Sequence, residues 1–408
     1  MLLAFDGLSG PVALIDSDEL AGCMAAVLRG WRFRELVDRD APAPVITVRR
    51  FPKGYRIESL WRSSPAHHKD RVDAACTLIV DLIWASIAND PSLLCLHGAA
   101  AEFGGRLVVF PTPYRSGKST LAAYLVAAGV RLYADDVLPI KAGRELGVAP
   151  GILPRLRLPL PKNASAAFRD FVDRRRGLGN RRYLYLDLRP DELASRGTEA
   201  PIGGFVLLNR DPKAPPGLAP ASDSEVLRRT VLQNFARDVE ATDILGRLTA
   251  VVAASRCFKL TYADGEQAVA LLKQAFDRWP SRPGRDTPRP TRDSARAAVS
   301  GVAQDDGGTL YRRNPKVTET AIDGDAFLVN PDSQGIYHLN AVGAALWRLL
   351  AEPTSVEHAA SLLHEAFPEV SRKVIERDIA ALMDTLSARG LVTGAQGPGR
   401  SGAGPLGR

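Results

Sequence analysis

Between Arg71 and Ala88 the apolar residues Ala74, Leu78, Ile79, Leu82, Ile83 and Ile87 recur at helical spacing, which predicts a helix with one buried face. Short unbroken apolar runs read differently. Val45-Ile46-Thr47-Val48, Arg106-Leu107-Val108-Val109-Phe110, Arg182 to Leu188, Gly204 to Asn209 and Cys257 to Tyr262 have the length and composition of strands. Helical patterns run from Thr120 to Ala128, closed by Gly129, then as a pair from Ser224 to Ala254, and again from Glu266 to Trp279. Val130 to Ile140 continues the core. Strands alternating with helices predict an α/β sheet, with an N-terminal lobe over 1–92 and a main domain over 93–279.

The pattern then changes twice. Over 280–308, Pro280, Pro283, Pro288 and Pro290 alternate with Arg282, Arg285, Arg289 and Arg292 and leave almost nothing to bury, so a flexible basic linker is expected. Over 309–396, Ala326 to Asn330 and Gly335 to Leu339 read as strands joined by Pro331-Asp332-Ser333. Three helices follow: Ala341 to Leu350, Ser355 to Phe367 with a capping box of Thr354 and Glu357, and Ser371 to Ala388. Together they predict a small α+β unit of winged-helix type. The Gly- and Pro-rich end, from about Gly394 and wholly over 397–408, is expected to be disordered.

With 408 residues, 45% of them hydrophobic, the chain can build two or three ordinary cores. Cys23, Cys76, Cys95 and Cys257 are widely spaced, with no C-x-x-C pair, and read as reduced thiols of a cytoplasmic protein. The start of the chain lacks a signal-peptide pattern, and no stretch reaches 18 uninterrupted apolar residues, so export and membrane spanning are disfavoured. A net charge of +7 suggests acidic partners. Its distribution disfavours nucleic acid, because 309–396 carries eight Lys/Arg against eleven Asp/Glu, and Arg372, Lys373 and Arg377 are offset by Glu376, Asp378 and Asp384.

The candidate chemistry starts where the strand Arg106 to Phe110 runs into Thr112-Pro113-Tyr114-Arg115-Ser116-Gly117-Lys118-Ser119-Thr120 and a helix. A loop placed there turns backbone N–H groups and the helix's positive end toward one point, a cradle for polyphosphate. Thr112, Arg115, Ser116, Gly117, Lys118, Ser119 and Thr120 are the candidate ATP-binding residues. Lys118 supplies a point charge and the Ser119 hydroxyl a ligand for Mg²⁺. The pattern G-x-x-x-x-G-K-[ST] departs at its first position, where Thr112 replaces the glycine, and Pro113 brings no N–H to the cradle.

His97-Gly98-Ala99 precedes this strand and Leu132-Tyr133-Ala134-Asp135-Asp136 follows the helix. Two adjacent carboxylates opposite a phosphate loop can divide the work of phosphoryl transfer, one taking the proton of an attacking hydroxyl and the other holding Mg²⁺. Asp135 is assigned the base role and Asp136 the metal side, with the opposite order left open because consecutive strand residues face opposite ways. The ordered set resembles the catalytic domain of HPr kinase/phosphorylase over roughly 93–141, and more loosely over 1–92 and 142–279. The resemblance implies a P-loop kinase core, ATP and Mg²⁺, an HPr-like acceptor protein or a peptide, and homo-oligomers. It also places His97 beside the transferred phosphate, where an imidazolium would stabilise negative charge and activity would fall as pH rises past its pKa. Arg176-Gly177-Leu178-Gly179 matches the family's second motif, but Arg174 stands where the family has glutamate. This favours a related kinase over the bifunctional enzyme, with Arg174, Arg175 and Arg176 as a solvated basic turn or an acceptor patch.

Asp332-Ser333-Gln334-Gly335-Ile336-Tyr337-His338-Leu339-Asn340, with Gly343 and Leu346-Trp347, resembles the PqqD-like peptide-binding domain of ribosomal peptide modification systems. The resemblance implies that a precursor's leader segment adds as a strand along Gly335, Ile336, Tyr337, His338 and Leu339, in a groove against the third helix. The combined expectation is a kinase of HPr-kinase-related type that phosphorylates a serine-like hydroxyl, working beside other peptide-modification enzymes. Two alternatives stand: a non-catalytic nucleotide-binding scaffold presenting peptide to a partner enzyme, and an ATP-gated DNA-binding regulator.

Overall fold

The computed structural model describes residues 1–37, 42–90, 92–112, 116–141, 143–235, 239–279, 309–366 and 368–396. Arg115, the expected linker over 280–308 and the expected tail over 397–408 lie outside the described residues. Mixed α/β structure with ten helices fills the rest, and no described helix is long and apolar enough to cross a membrane.

The longest helix, Arg71–Ala88, starts where Asp70 turns extended and its carboxylate accepts the N–H groups of Val72 and Asp73 at 2.9 and 3.2 Å. That side chain satisfies two of the donors a helix start leaves orphaned. The helix then buries Leu78, Ile79, Leu82 and Ile83, as the spacing predicts. N-terminal to it, six strands pair in the order Phe33–Glu35, Leu2–Phe5, Val12–Ile15, Ile46–Phe51, Gly54–Ser59, Ala66–His68. One apolar core runs from Leu3 through this sheet and helix to Phe276, so the residues before 92 share their core with those after it.

The sheet that positions the site has nine strands. At its centre Arg106–Phe110, Glu199–Arg210 and Arg256–Tyr262 run parallel. Toward one edge lie Leu146–Val148, Val137–Lys141 and Leu93–His97. A strand not evident in the sequence, Ala99–Phe103, pairs antiparallel with Arg106–Phe110. Its alanines are poor strand formers by propensity, yet Ala99, Ala100 and Ala101 are all buried. The apolar run from Val130 to Ile140 divides into Leu132–Ala134 and Val137–Lys141, which places Asp135 and Asp136 in the break between two strands rather than at the end of one.

The C-terminal unit has a core of its own, including Leu328, Leu346, Trp347, Ile379 and Met383. Thr318–Ile322, Asp325–Asn330 and Gly335–Leu339 form an antiparallel sheet in that order, and Thr309–Arg313 pairs with Val392–Gln396. Helices Ala341–Leu349, Val356–Ala366 and Arg372–Ala388 complete it. The cap of the middle helix differs from expectation. Ser355 Oγ accepts the His358 N–H at 3.1 Å, while Thr354 Oγ1 donates to the carbonyls of Leu349 and Glu352 and so closes the preceding helix. Buried Asn330 ties strand to helix: its Nδ2 donates to the Arg389 carbonyl at 2.8 Å and its Oδ1 accepts from Asp332 N at 3.0 Å. Replacing Asn330 with alanine leaves that carbonyl unpaired, at a cost of about 1–3 kcal/mol. The expected result is faster amide exchange in Arg372–Ala388 and Asp325–Asn330, with the sheet of Arg106–Phe110 unchanged.

Candidate functional site

Phe110 ends the central strand, and the helix Lys118–Ala127 starts at Gly117, whose φ of 91° and ψ of 10° lie in the left-handed region that glycine adopts without strain. The helix's first N–H groups and its positive end therefore face a cavity of about 730 Å³, with Ser116, Gly117, Lys118, Ser119 and Thr120 on its wall. Lys118 is buried. Its ammonium donates to the Thr112 carbonyl and to His97 Nε2, both at 3.0 Å. Burial pulls its pKa down, while the carboxylates of Asp136 and Asp135 push it back up.

His97 reaches this point by strand pairing. Leu93–His97 runs antiparallel to Val137–Lys141 with His97 opposite Val137, and Gly98 N donates to the Asp136 carbonyl at 3.0 Å. Glycine suits position 98, since a Cβ there would lie 3.0 Å from the Phe110 carbonyl oxygen, tighter than ordinary contact. Because an ammonium can only donate, Nε2 of His97 accepts and its proton sits on Nδ1, 3.4 Å from Asp136 Oδ1. Burial lowers the His97 pKa below its ordinary value, against a raising effect from Asp136 and with a lowering one from Lys118. The imidazolium expected from the sequence is thus corrected to a neutral bridge between an ammonium and a carboxylate.

Asp135 and Asp136 sit in different surroundings. Asp136 is half-exposed, while Asp135 is 7% exposed. The Oδ2 of Asp135 accepts the Arg155 main-chain N–H at 3.0 Å; its Oδ1 is buried with no hydrogen-bond partner among the described residues. Burial first, and then the neighbouring Asp136 charge, raise the Asp135 pKa to about 6, against lowering effects from the Arg155 N–H, the Ser119 hydroxyl and the Arg155 guanidinium. A carboxylate on a cavity wall with one oxygen held and the other buried and unpaired can accept a proton or a metal ion. Asp135, Asp136 and Ser119 could share a divalent ion with phosphate oxygens and water, the usual arrangement for magnesium.

The cavity brings Ser116 to Thr120, Asp135 and Asp136 together, as the sequence motifs anticipate. Thr112 and His97 do not line it but hold Lys118 from behind. Arg115 lies outside the described residues. Arg174 and Arg175 border a separate cavity of about 420 Å³ with Val126 and Gly129, at the far end of the helix, and Arg175 pairs with Glu192 at 2.6 Å. An acceptor patch at Arg174 to Arg176 therefore does not adjoin Asp135. Conversely, Arg155, Arg157, Tyr183 and Arg210 line the main cavity without any motif to announce them. The only trace in the sequence is two arginines flanking a buried Leu156 in the strand Arg155–Arg157.

In the C-terminal unit, Gly335–Leu339 is an edge strand of its sheet among the described residues. Gly335 leaves room for the Tyr337 ring, His338 Nε2 lies 2.7 Å from Asp325 Oδ2, and Leu339 belongs to the core. Of the five residues expected to meet a peptide, Gly335, Ile336, Tyr337 and His338 remain half-buried at the surface.

Residues 325–392 match the family model of coenzyme PQQ synthesis protein D (PqqD). No curated relative matches the chain. Among solved structures, TbiB1 in complex with the TbiA(beta) leader peptide is 24% identical over 21% of this chain and 99% of its own, with a TM-score of 0.20. Lasso peptide synthetase B1 complexed with the leader peptide is 29% identical over 20% of this chain and 96% of its own, TM-score 0.19. The Hpr(Ser) kinase/phosphatase from Coxiella burnetii is 12% identical over 44% of this chain and 94% of its own, TM-score 0.25.

The Asp135 environment has a thermodynamic consequence. A folded-state pKa raised to about 6 means that the folded protein binds this proton more tightly than the unfolded chain. Stability attributable to the group is full below about pH 4 and is lost as pH rises through 6. Asp135→Asn, which keeps an acceptor for Arg155, is expected to stabilise the fold by about 1–3 kcal/mol at pH 8 and by little at pH 4. Equal stability of the two proteins at pH 8 would contradict the assignment.

Proposed function

We propose that the cavity at Lys118 and Asp135 transfers the γ-phosphoryl group of ATP to a serine-like hydroxyl on a peptide or protein that the C-terminal unit recruits. The observation that carries this reading is the unpartnered Oδ1 of buried Asp135, on the wall of the cavity that also receives the helix start at Gly117. The ordered motifs that resemble HPr kinase/phosphorylase support it.

Main-chain N–H groups at Ser119 and Thr120 and the Lys118 ammonium bind the phosphate oxygens, the neutral His97 holding that ammonium in place. Magnesium, when bound between Ser119, Asp136 and the phosphates, would neutralise charge on the transferred group. Asp135 is ionised near neutral pH and takes the proton of the acceptor hydroxyl. The hydroxyl oxygen forms its bond to the γ-phosphorus as the bond to the β–γ bridging oxygen breaks; ADP leaves, and the proton remains on Asp135 until solvent removes it.

The PqqD family match over 325–392 supports peptide recognition by the C-terminal unit. A leader segment would add as a strand along Gly335–Leu339, drawing affinity from main-chain hydrogen bonds and selectivity from Ile336, Tyr337 and His338. Covalent tethering raises the local concentration of a weakly held acceptor at the transfer site. The natural partners are a precursor peptide and the enzymes that modify it, in the cytoplasm. A second reading, a scaffold that binds nucleotide without transfer, is favoured by the engagement of Lys118 with His97 and Thr112 in place of an open ammonium.

Incubated with labelled ATP, Mg²⁺ and a precursor peptide encoded beside it, the full-length protein is expected to yield labelled peptide. Lys118→Ala and Asp135→Asn should each lower the rate by about 10²-fold or more. The rate should rise with pH through about 6 and then level off, because Asp135 must be ionised and His97 is already neutral. Undiminished labelling in both variants would refute the transfer, and a rate falling between pH 6 and 8 would restore the imidazolium.

A further inference from the structure

The acceptor side of the cavity has a charge that the transfer reading does not use. Strand Arg155–Arg157 pairs antiparallel with Tyr183–Leu186, Arg155 opposite Tyr185 and Arg157 opposite Tyr183. Two residues apart on one strand, Arg155 and Arg157 share a face with both tyrosines, and all four line the cavity. Their guanidinium carbons lie 4.8 and 5.9 Å from the centre of the Tyr183 ring. Contact with the ring face holds a guanidinium by its flat side and orients the N–H fork that matches a carboxylate. The same segment fixes the base, since the Arg155 main-chain N–H is the donor to Asp135 Oδ2.

The cations of the cavity differ in their neighbours. Arg210 also borders a small recess with Gly117, Thr120 and Tyr262 at the helix start, the side on which the donor's phosphates are proposed to bind. Arg157 does not border that recess. It is exposed at the cavity rim, in the strand whose first residue holds Asp135. Lining cations number five (Lys118, Arg155, Arg157, Lys162 and Arg210) against the carboxylates of Asp135 and Asp136. A magnesium-bound triphosphate, about −2 in net charge, does not cancel this excess of three, so positive charge remains along the strand that holds Asp135, where the acceptor hydroxyl must sit.

We infer that the acceptor is an acidic peptide segment, with a carboxylate side chain next to the reacting hydroxyl, and that Arg157 with Arg155 seats this carboxylate while Asp135 receives the hydroxyl. The inference rests on the phosphoryl-transfer reading and names the substrate class of the same site. Arg157 sets specificity. The exposed position of its side chain makes it replaceable without disturbing the core.

The test uses full-length protein, Mg²⁺ with a non-hydrolysable ATP analogue, and three pentapeptides in which one serine is flanked by glutamate, glutamine or lysine. Calorimetry should show the glutamate peptide binding at least tenfold more tightly than the glutamine peptide, and the lysine peptide binding most weakly. Arg157→Gln should remove the preference and Arg157→Glu should reverse it, with affinity for the nucleotide analogue moving less than threefold. Equal affinities for the three peptides, or no binding of any, overturn the proposal. So does a tenfold loss of nucleotide affinity in Arg157→Glu with the peptide order unchanged, which would assign the guanidinium to the donor. Binding is read without transfer, so a glutamate preference that persists when no labelled product forms sustains the anion site and refutes the kinase instead.

Discussion

The hydrogen bond from Gly98 N to the Asp136 carbonyl, made where Leu93–His97 meets Val137–Lys141, is the constraint on which the site depends. It ties together two breaks between strands, 38 residues apart in the chain, close to the helix that starts at Gly117. The result is a line of polar groups, Thr112 carbonyl to Lys118 to His97 to Asp136, that gives a buried ammonium two direct acceptors and, through the imidazole, a carboxylate, in a region of low dielectric. With Lys118 satisfied by that line, Asp135 is left with one oxygen held by Arg155 and one buried without a hydrogen bond among the described residues. A buried charge without a full set of partners is costly, and such cost is stored where a protein does chemistry.

Much of this was legible in the chain, for particular physical reasons. Helix Arg71–Ala88 and strands Arg106–Phe110 and Gly335–Leu339 fall where the periodicity of the sequence puts them, because each has one uninterrupted pattern and clear end signals. The Gly117-Lys118-Ser119 turn and the Asp135-Asp136 pair were visible because local backbone geometry and charge restrict which residues can stand there. Ala99–Phe103 was not visible, since its alanines carry no strand pattern and its pairing is set by neighbours. Arg155, Arg157 and Tyr183 were not visible either; their meeting with Asp135 is created by sheet pairing across distant segments. The charge state of His97 was misread for the same reason, because it is decided by Lys118 and by burial, neither of which a single sequence displays.

The C-terminal unit follows a different logic from the main one. Its core is closed by Trp347, Leu346 and Met383, while one sheet edge keeps Ile336, Tyr337 and His338 half-buried, a surface with backbone groups on offer and side chains to sort what binds. The family match covers this unit alone. On the proposed function, a chain that joins such an edge to the cavity at Lys118 and Asp135 would separate the choice of peptide from the chemistry done on it, so that the affinity of one need not be built into the other.

The most direct measurement of the central claim is titration of the full-length protein with Mg²⁺ and ATP, alongside Lys118→Ala. The account predicts saturable binding in the native chain and an affinity at least tenfold lower in the variant. Absence of binding at millimolar ATP, or equal affinity in the two proteins, would contradict it.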